Sequence, residues 1–336
     1  MTYAQTGLIE ATDYNNLAWG SNSGGTYVST ATPNLAFIHG TGYGRYGYGQ
    51  STSGYAQLSA TNIVTATQWT GLLNGINAVL GHQGASAIAP SSVTVGDTIT
   101  YFSSISTGTS TANTNASTGT VGARTNSTNW TGTSTNYQDG ASPWGTGASR
   151  TGRFTLTVTW STADLARYWW NCGGALDLSF SISPTTGTTR IVNWAALLTA
   201  CGTIRIGYNT ATKTGGSGTP SIIRTTPGLG GYWINTGIGA AQNHPGTTTT
   251  QFRQFDTATT YTANYVQITT AYSGTTGNGA YPVMTITCDL VNAYVNANQD
   301  SVGATPRVTC LIQNPVATSL GTAPTAPGIT ASWSNI

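Results

Sequence analysis

FTLTVTW, residues 154–160, alternates strictly between apolar and polar side chains. Phe154, Leu156, Val158 and Trp160 therefore share one face of a strand, because successive side chains of a β-strand point to opposite sides. Such alternation is typical of a strand that is buried on one face only. The stretch predicts that this part of the chain is a β-sheet with its core on the side of these four residues.

The same pattern continues towards the C-terminus. ALDLSFSI at 175–182 alternates again, and TIRIGY at 203–208 predicts another strand. Further strands are expected near residues 221–225, 231–236, 251–256, 262–272, 281–294, 305–313 and 328–334. Many short strands separated by Gly, Pro and Asn turns favour an antiparallel sandwich or barrel. We therefore expect a mainly β chain with a few short helices, in which an antiparallel β-sandwich or jelly-roll-like domain follows a helix-containing N-terminal docking region.

Two short helices are expected between these strands. Ser161 has the position of an N-cap, with Asp164 at the capping-box spacing. Asn193 can cap a second, amphipathic helix, and Gly202 is expected to end it.

The strongest helix pattern lies between Thr65 and Gly81. Thr65 and Gln68 have the spacing of a capping box, and apolar residues recur at three- and four-residue steps on one face. This apolar face comprises Trp69, Leu72, Leu73, Ile76, Val79 and Leu80. Gly81 has the position of a left-handed C-cap, and Gly71 and Gly75 on the other side are expected to mark a close packing surface.

These patterns divide the chain into three regions. Residues 1–84 are expected to form an N-terminal docking or assembly region with a helix over 65–80. Residues 85–150 are rich in Thr, Ser and Gly; a strand is expected at 93–105, followed by a long surface loop. Residues 151–336 are expected to form the antiparallel β-domain.

Charge is the unusual feature of the composition. Only 6% of residues are Asp, Glu, Lys or Arg, against about 25% in a typical soluble protein. A surface so poor in charge repels its own copies weakly, so a free monomer would tend to associate. Either much of the surface is buried against other subunits, or it is a particle surface coated with Thr, Ser and Asn. Disorder is not expected, because disordered chains are poor in aromatic residues and this chain has 10 Trp and 17 Tyr.

Few residues are available for catalysis, metal binding or nucleic-acid binding. The 11 Lys and Arg residues are scattered, so a phosphate-binding stripe is not expected. His39, His82 and His244 lack metal-site spacing. Glycoside cleavage needs two carboxylates about 5–9 Å apart, and for Glu10 and Asp13, which share a helix face, capping is the simpler role. We predict no enzyme activity, no metal and no cofactor.

The cysteines and the N-terminus bear on the cellular compartment. Cys172, Cys201, Cys288 and Cys310 form no C-x-x-C pair, and free buried thiols are expected, with disulfides as the alternative. The first residues, MTYAQ, carry neither a basic nor an apolar signal region. No apolar run approaches the roughly 18 residues of a membrane span. We expect synthesis in the cytoplasm without a signal peptide, and no membrane span.

Clustered aromatic residues form one further candidate site. Tyr168, Trp169 and Trp170 lie together, as do Tyr232 and Trp233, and exposed rings of this kind can bind a sugar or a partner protein. The alternative is that the rings fill a core, which is favoured here because each group flanks an alternating strand.

Five motifs occur in an order that resembles a known family. They are GLIEATDYNNL at 7–17, GYGQ at 47–50, IVTATQWTGLLNGINAVLGHQG at 63–84, RYWWNCGG at 167–174 and NWAALLTACGTIRIGY at 193–208. The ordered set resembles virion proteins of tailed bacteriophages, common in large myoviruses including those of cyanobacteria. Members of that family are described as tail-fibre, baseplate or virion structural proteins.

The resemblance covers residues 1–84 and about 150–310, and it implies assembly rather than catalysis. It leads to the hypothesis of a non-enzymatic structural component of a tailed-phage virion, in the tail, baseplate or fibre apparatus. A capsid decoration or head-fibre protein is one alternative, and a host-surface carbohydrate-binding or depolymerase protein is another. The expected partners are further copies of the chain, as a trimer if the protein is fibre-like, other virion proteins and, for the last alternative, a host glycan.

Three sets of residues within these segments are expected to matter. The docking candidates of the N-terminal region are Tyr14, Tyr43, Tyr46, Tyr48, Gln50, Trp69, His82 and Gln83. In RYWWNCGG, Asn171, Gly173 and Gly174 are expected to adopt positive φ and reverse the chain after a helix. The candidates for a glycan- or partner-binding surface are Trp169, Trp170, Tyr232 and Trp233.

Overall fold

The computed structural model describes most of the chain. The described residues are 11–20, 22–23, 26–27, 35–40, 47–89, 92–95, 102–118, 137–145, 150–207, 211–224, 248–258, 260–273, 282–294, 301–315 and 319–336. The chain divides into two compact units. The first comprises Met1–Asn126, Thr236–Gln242 and Val316–Pro324, and the second comprises Ser127–Asn235, Asn243–Pro315 and Thr325–Ile336.

The first unit is built mainly from helices. Its described elements are α1 (Ala11–Ala18), β1 (Asn22–Ser23), β2 (Thr26–Tyr27), α2 (Leu35–His39), a 3-10 turn (Ser53–Tyr55), α3 (Ala66–His82) and α4 (Phe102–Thr118). All six apolar residues predicted for one face of α3 are buried. The amphipathic helix is therefore confirmed, and its apolar face forms the centre of this unit's core.

The capping box predicted at the start of α3 is present. The backbone N–H of Gln68 donates to Oγ1 of Thr65 over 3.3 Å, and the N–H of Thr65 donates to Oε1 of Gln68 over 2.8 Å. The predicted end at Gly81 is wrong. The helix continues through His82, and the left-handed residue is Gly84, with φ of +69°.

Two glycines of α3 allow close packing, as expected. A Cβ added at Gly71 would overlap the carbonyl oxygen of Gly54 in the 3-10 turn. At Gly75 an added Cβ would lie 2.8 Å from side-chain atoms of both Leu35 and Tyr55. The missing side chains let the 3-10 turn and α2 lie directly against α3.

The strand expected at 93–105 and the loop after it are wrong for the residues that form α4. Thr, Ser, Gly and Asn are poor helix formers, so the composition argued against a helix. The buried positions of α4 are Ile105, Gly108, Thr109 and Ala112. Their spacing places them on one helical face, and a Cβ added at Gly108 would lie 2.8 Å from Ile88 and 3.0 Å from Ile76 of α3. Close packing of small residues thus outweighs low helix propensity.

In its described residues, the second unit consists of two antiparallel sheets and two helices. Its elements are β3 (Tyr137–Asp139), β4 (Thr151–Thr159), α5 (Ala163–Asn171), β5 (Ala175–Ser183), α6 (Thr189–Cys201), β6 (Thr203–Ile206), β7 (Ala211–Thr214), β8 (Ile222–Ile223), β9 (Thr249–Phe255), β10 (Tyr265–Ser273), β11 (Val283–Val291), β12 (Thr305–Gln313) and β13 (Gly328–Asn335). One sheet has the order β13-β4-β11-β10-β9-β8, and the other has the order β3-β12-β5-β6-β7. The prediction of a mainly β, antiparallel fold is confirmed. The strand expected at 231–236 lies outside the described residues.

Both sheets contribute to one hydrophobic core. Phe154 and Leu156 on β4 are buried in the same cluster as Leu178 on β5 and Ile312 on β12, and side chains of α5 and α6 complete it. Buried and half-exposed residues alternate along β4 from Thr151 onward, as the sequence predicts. Two sheets that share one core in this way form a sandwich.

The two helices of this unit begin at other residues than expected. The N-cap of α5 is Thr162, not Ser161, and that of α6 is Thr188, not Asn193. Each threonine hydroxyl accepts the backbone N–H of the residue three positions on, which satisfies a donor that no helical carbonyl reaches. Gly202, with φ of +62°, ends α6 as predicted.

Candidate assembly surface

Two rows made mostly of threonine and serine residues lie on the outer face of the six-stranded sheet. Because Phe154, Leu156 and Val158 point into the core, Thr155 and Thr157 between them point outward. The strand register places outward residues of neighbouring strands directly opposite one another. Two such rows are Ser332–Thr155–Thr287–Thr269 and Thr330–Thr157–Thr285–Ala271. Opposed side chains on one face lie about 4.5–5.5 Å apart, so the hydroxyls form a regularly spaced array.

Most of this array is accessible. The central threonines on β4 and β11 are half-exposed, and the row positions on β13 are exposed. Each threonine hydroxyl both donates and accepts hydrogen bonds, and its methyl group offers apolar contact. The face is therefore neutral over these two rows and can bond to a polar partner at many points.

Three arginines on the sheets are paired with aspartates on neighbouring strands. Arg153 on β4 lies opposite Asp289 on β11 and donates to both of its carboxylate oxygens, over 2.7 and 2.9 Å. Arg205 on β6 lies opposite Asp177 on β5 and donates to both oxygens over 2.7 Å. Bidentate arginine–carboxylate pairs of this kind combine two charge-assisted hydrogen bonds in one fixed geometry.

A third pair lies at the edge of the five-stranded sheet. Arg307 on β12 donates to the two carboxylate oxygens of Asp139 on β3, over 2.6 and 2.9 Å. The guanidinium also lies 3.9 Å from the ring centre of Tyr137. Hydrogen bonding to Arg307 holds the pKa of Asp139 below its usual value. The pair therefore stays ionised and neutral overall at physiological pH.

The three pairs were not predicted from the sequence. Arg153, Asp177, Arg205 and Asp289 all occupy polar positions of alternating strands, so their outward direction was visible in the pattern. Which strand lies beside which was not visible, because the strands of each pair are joined by long or irregular connections. The register that brings the charges together is a property of the folded sheets.

Most carboxylates in the described part of the chain form ion pairs or backbone hydrogen bonds within the chain. Four of the six form ion pairs, the fourth being Asp164 with Arg167 at 3.3 Å. Asp256 accepts the backbone N–H of Ala258 over 2.8 Å, and burial raises its pKa. Asp13 lies in the first turn of α1. A glycoside-cleaving site would need two carboxylates facing a substrate, whereas these groups face arginines and backbone.

Several docking candidates lie inside the first unit. Tyr14 and Trp69 are buried, with ring centres 5.8 Å apart. Tyr48 is buried against the half-buried ring of His82 at 4.9 Å, and its hydroxyl accepts a 2.9 Å hydrogen bond from Nε2 of Gln83. Nε2 of Gln83 also donates to a backbone carbonyl of α4. The GYGQ and HQG motifs thus meet in this unit's own core, and their buried side chains are not available to a partner in the folded chain.

Gln50 binds a segment that is distant in the sequence. Its Nε2 donates to the carbonyl oxygen of Thr322 over 2.9 Å, and the N–H of Thr322 donates to Oε1 of Gln50 over 3.2 Å. The amide therefore fixes the backbone at Thr322, which belongs to the first unit. Two other docking candidates, Tyr43 and Tyr46, lie outside the described residues.

A buried histidine–tyrosine pair was not predicted. Nδ1 of His39 lies 2.7 Å from the hydroxyl of Tyr55, and the carbonyl of Tyr55 accepts the indole N–H of Trp19 over 3.0 Å. Burial lowers the pKa of His39 to about 4 and raises the pKa of Tyr55. The imidazole is therefore neutral at physiological pH and acts as a structural hydrogen-bonding group.

The RYWWNCGG turn is part of the sandwich core. Trp169 and Trp170 are fully buried with ring centres 4.8 Å apart, so neither ring is exposed to a glycan or partner. Gly173 has φ of +101° and reverses the chain, as predicted. Positive φ at Asn171 and Gly174 is wrong: Asn171 is helical, and Gly174 provides space, because an added Cβ would overlap the ring of Trp169. The two remaining candidates, Tyr232 and Trp233, lie outside the described residues.

None of the four cysteines forms a disulfide, and all four are buried. Burial raises the pKa of Cys172, Cys201 and Cys310. Among the described residues, no three His, Cys, Asp or Glu side chains lie together as a metal site requires. No helix in the same part of the chain is long and apolar enough to cross a membrane. Comparisons with protein-family models, curated proteins and solved structures found no match. Function must therefore be inferred from the chain's own surfaces.

Proposed function

We propose that the chain is a non-enzymatic structural component of a tailed-phage virion, in the tail, baseplate or fibre apparatus. The observation that carries the proposal is the outer face of the six-stranded sheet, where neutral hydroxyl rows lie beside charges already paired within the chain. The order of the sequence motifs, which resembles that of tailed-phage virion proteins, supplies the virion context.

Electrostatics favours permanent contact with neighbouring subunits. Soluble proteins are normally kept apart by net charge and ionised surface groups. Here the formal net charge is +2 over 336 residues, and four ion pairs cancel part of the few charges present. Hydroxyl groups can be covered by a partner without the large cost of burying an unpaired charge. Such a face is suited to a homo-oligomer, a trimer in a fibre, and to contact with other virion proteins.

The position within the particle has one alternative. A capsid decoration or head-fibre protein would need the same neutral, hydrogen-bonding face, so surface chemistry supports both positions equally. A gold-labelled antibody against the chain, bound to intact particles, separates them. Label at the tail, baseplate or fibres supports the proposal, and label on the head supports the alternative.

The test combines detection in particles with one substitution on the face. Mass spectrometry of purified particles of the virus that encodes the chain is expected to detect it. Thr157→Lys places a charge in the middle of the hydroxyl rows without touching the core. We expect the purified variant to fold normally but to enter particles at least about tenfold less well, since burying an unpaired charge costs several kcal/mol.

Thr214→Lys is the matched control. Thr214 is an exposed threonine on β7, the edge strand of the other sheet, so the same substitution adds the same charge away from the face. It is expected to leave incorporation unchanged. The proposal fails if the chain is absent from purified particles. Equal incorporation of both variants would instead show that neighbouring subunits do not cover this sheet face.

A further inference from the structure

We propose that β13 is a self-pairing edge strand, through which two copies of the chain join their six-stranded sheets around a two-fold axis. The inference rests on the proposed assembly function and names one surface for it. It is carried by the backbone of β13, by the sequence of that strand, and by the match between the strand and a second copy of itself.

The unpaired backbone groups of β13 can be identified from its contact with β4. Thr151 and Ile336 exchange both backbone hydrogen bonds, over 3.0 and 2.9 Å, and the register runs without a shift from Asn335 to Gly328. In an antiparallel pair such exchange recurs at every second residue. The even-numbered residues of β13 therefore bond to β4. The residues whose N–H and C=O groups point away from β4 are Ile329, Ala331, Trp333 and Asn335.

The edge lacks the usual protection against another strand. In soluble proteins, charged residues, proline, bulges or a very short strand usually prevent an exposed edge strand from pairing with another chain. β13 has eight residues, GITASWSN, with no charge and no proline, and its register with β4 has no bulge. Within the described ranges, no strand pairs with its outer side. The adjacent edge strand of the other sheet, β3, pairs with β12.

The opposite edge of the same sheet is treated differently. Its last strand, β8, has only two residues. The carbonyl of Arg224, next to β8, accepts the N–H of Ala211 on β7 over 2.6 Å. That edge therefore closes against the five-stranded sheet, and the unprotected edge at β13 stands in contrast to it.

A second copy of β13 can pair with this edge without mixing the two faces of the sheet. Residues that face the core must oppose residues that face the core, which antiparallel pairs centred on Ala331 or on Ser332 both achieve. The pair centred on Ala331 is proposed because it places the two largest apolar side chains of the strand against each other. Ile329 then lies opposite Trp333 of the second copy, and Thr330 lies opposite Ser332. The half-buried side chains of Ile329, Ala331 and Trp333, which pack on the rim of the core, become more deeply buried. The hydroxyl rows continue from one copy into the next.

The strength expected for this contact follows from its size. Three opposed pairs of residues whose backbone N–H and C=O groups point away from β4 supply about six backbone hydrogen bonds. One added strand covers less surface than the roughly 1,200–2,000 Å² of stable complexes. We therefore expect weak, concentration-dependent dimers in dilute solution. In a particle with many fixed copies, the raised effective concentration makes the same contact persistent.

Cysteine cross-linking of the full chain tests the register. Thr330 and Ser332 are exposed residues on the outer face of the sheet. In the proposed dimer they form a non-hydrogen-bonded pair with Cα atoms about 4.5 Å apart, a distance that suits a disulfide. Differently tagged Thr330→Cys and Ser332→Cys proteins are mixed at high concentration and oxidised with diamide. We expect a covalent heterodimer. Ser334→Cys is the control, because two copies of residue 334 would be about 20 Å apart and should not cross-link above the level of the unmodified chain.

Proline substitution tests the edge itself. The N–H of Ala331 points away from β4, so Ala331→Pro removes no hydrogen bond within the sheet and proline is tolerated at such edge positions. We expect circular dichroism to be unchanged and concentration-dependent dimers in light scattering to fall by at least about tenfold. Ala331→Val keeps the N–H and should still dimerise. Should Ala331→Pro be poorly folded, the cross-linking result stands by itself.

The outcomes separate this inference from the proposed function. Failure of the Thr330–Ser332 cross-link, or full dimerisation of Ala331→Pro, overturns the edge contact even if the chain is present in virions. A specific cross-link that Ala331→Pro abolishes supports the contact even if the chain is absent from virions, in which case the virion proposal fails and self-pairing stands.

Discussion

The buried His39 predicts a specific loss of stability in mild acid. Burial lowers its pKa in the folded chain to about 4, from 6.5 in an exposed histidine. Below pH 6.5 the unfolded chain binds a proton at His39 that the folded chain does not bind until about pH 4. The unfolded state therefore holds more protons in this interval, and stability decreases as the pH falls.

The size of the effect follows from the two pKa values. One pKa unit corresponds to about 1.4 kcal/mol, so the full loss below pH 4 is about 3 kcal/mol, of which about 2 kcal/mol has occurred at pH 5. The pair with Tyr55 lies in the helical unit, so we expect the loss in that unit. For a unit of this size, 2 kcal/mol lowers the melting temperature by about 4–8 °C.

Comparison with His39→Gln isolates this contribution. Glutamine keeps a polar group near the hydroxyl of Tyr55 but does not titrate. Thermal unfolding of both proteins is measured from pH 7.5 to pH 4.5, and the difference between the two curves removes the carboxylates they share. The wild type should lose about 2 kcal/mol more than the variant between pH 7 and pH 5. Parallel curves, or an imidazole NMR titration of His39 near pH 6.5, would refute the burial argument.

Three further substitutions test packing and buried charge. Gly71→Ala should cost about 1–3 kcal/mol in chemical denaturation, because the added methyl overlaps a carbonyl oxygen of the 3-10 turn, whereas Gly81→Ala in the same helix should change stability by less than about 1 kcal/mol. Arg205→Met leaves the buried carboxylate of Asp177 without its cation and should cost about 1–3 kcal/mol, the half-exposed arginine limiting the loss; adding Asp177→Leu should recover most of it. Arg190→Met should raise the melting temperature, because Nε of this buried arginine has no hydrogen-bond partner among the described residues.

Local sequence patterns predicted the elements in which the spacing of apolar and capping residues along the chain is enough to define the strand or helix. The alternation of FTLTVTW and the capping box at Thr65 and Gln68 both correspond to observed structure. α4 could not be predicted in this way. Its residues are poor helix formers, and only the fit of Gly108 against Ile76 and Ile88 makes a helix favourable. That information belongs to the packed unit and not to any window of the sequence.

The candidate surface was harder to predict than the fold. Motif order directed attention to Tyr48, Trp69 and Gln83, and these side chains are buried. Large aromatic residues in a chain with few charges are as valuable to a core as to an interface, so composition could not separate the two. The hydroxyl rows arise from threonines that alternation already placed outward, but their alignment required the register between β4 and β11.

The pairing of Arg153 with Asp289 makes a last prediction about whether the sheet face is covered. Arg153 is half-exposed and the carboxylate of Asp289 is nearly buried, so on a face that stays in water the exposed arginine limits the contribution of the pair to folding to about 1–3 kcal/mol. On a face covered by a neighbour, an arginine without its carboxylate loses hydration at a cost of several kcal/mol. Asp289→Asn should therefore lower the stability of the isolated chain by about 1 kcal/mol and reduce self-assembly or incorporation into particles by at least about tenfold. Asp139→Asn makes the same change in the exposed pair with Arg307 on the other sheet and should affect neither strongly. If both variants assemble equally well, the face around Arg153 is not the one that neighbours cover.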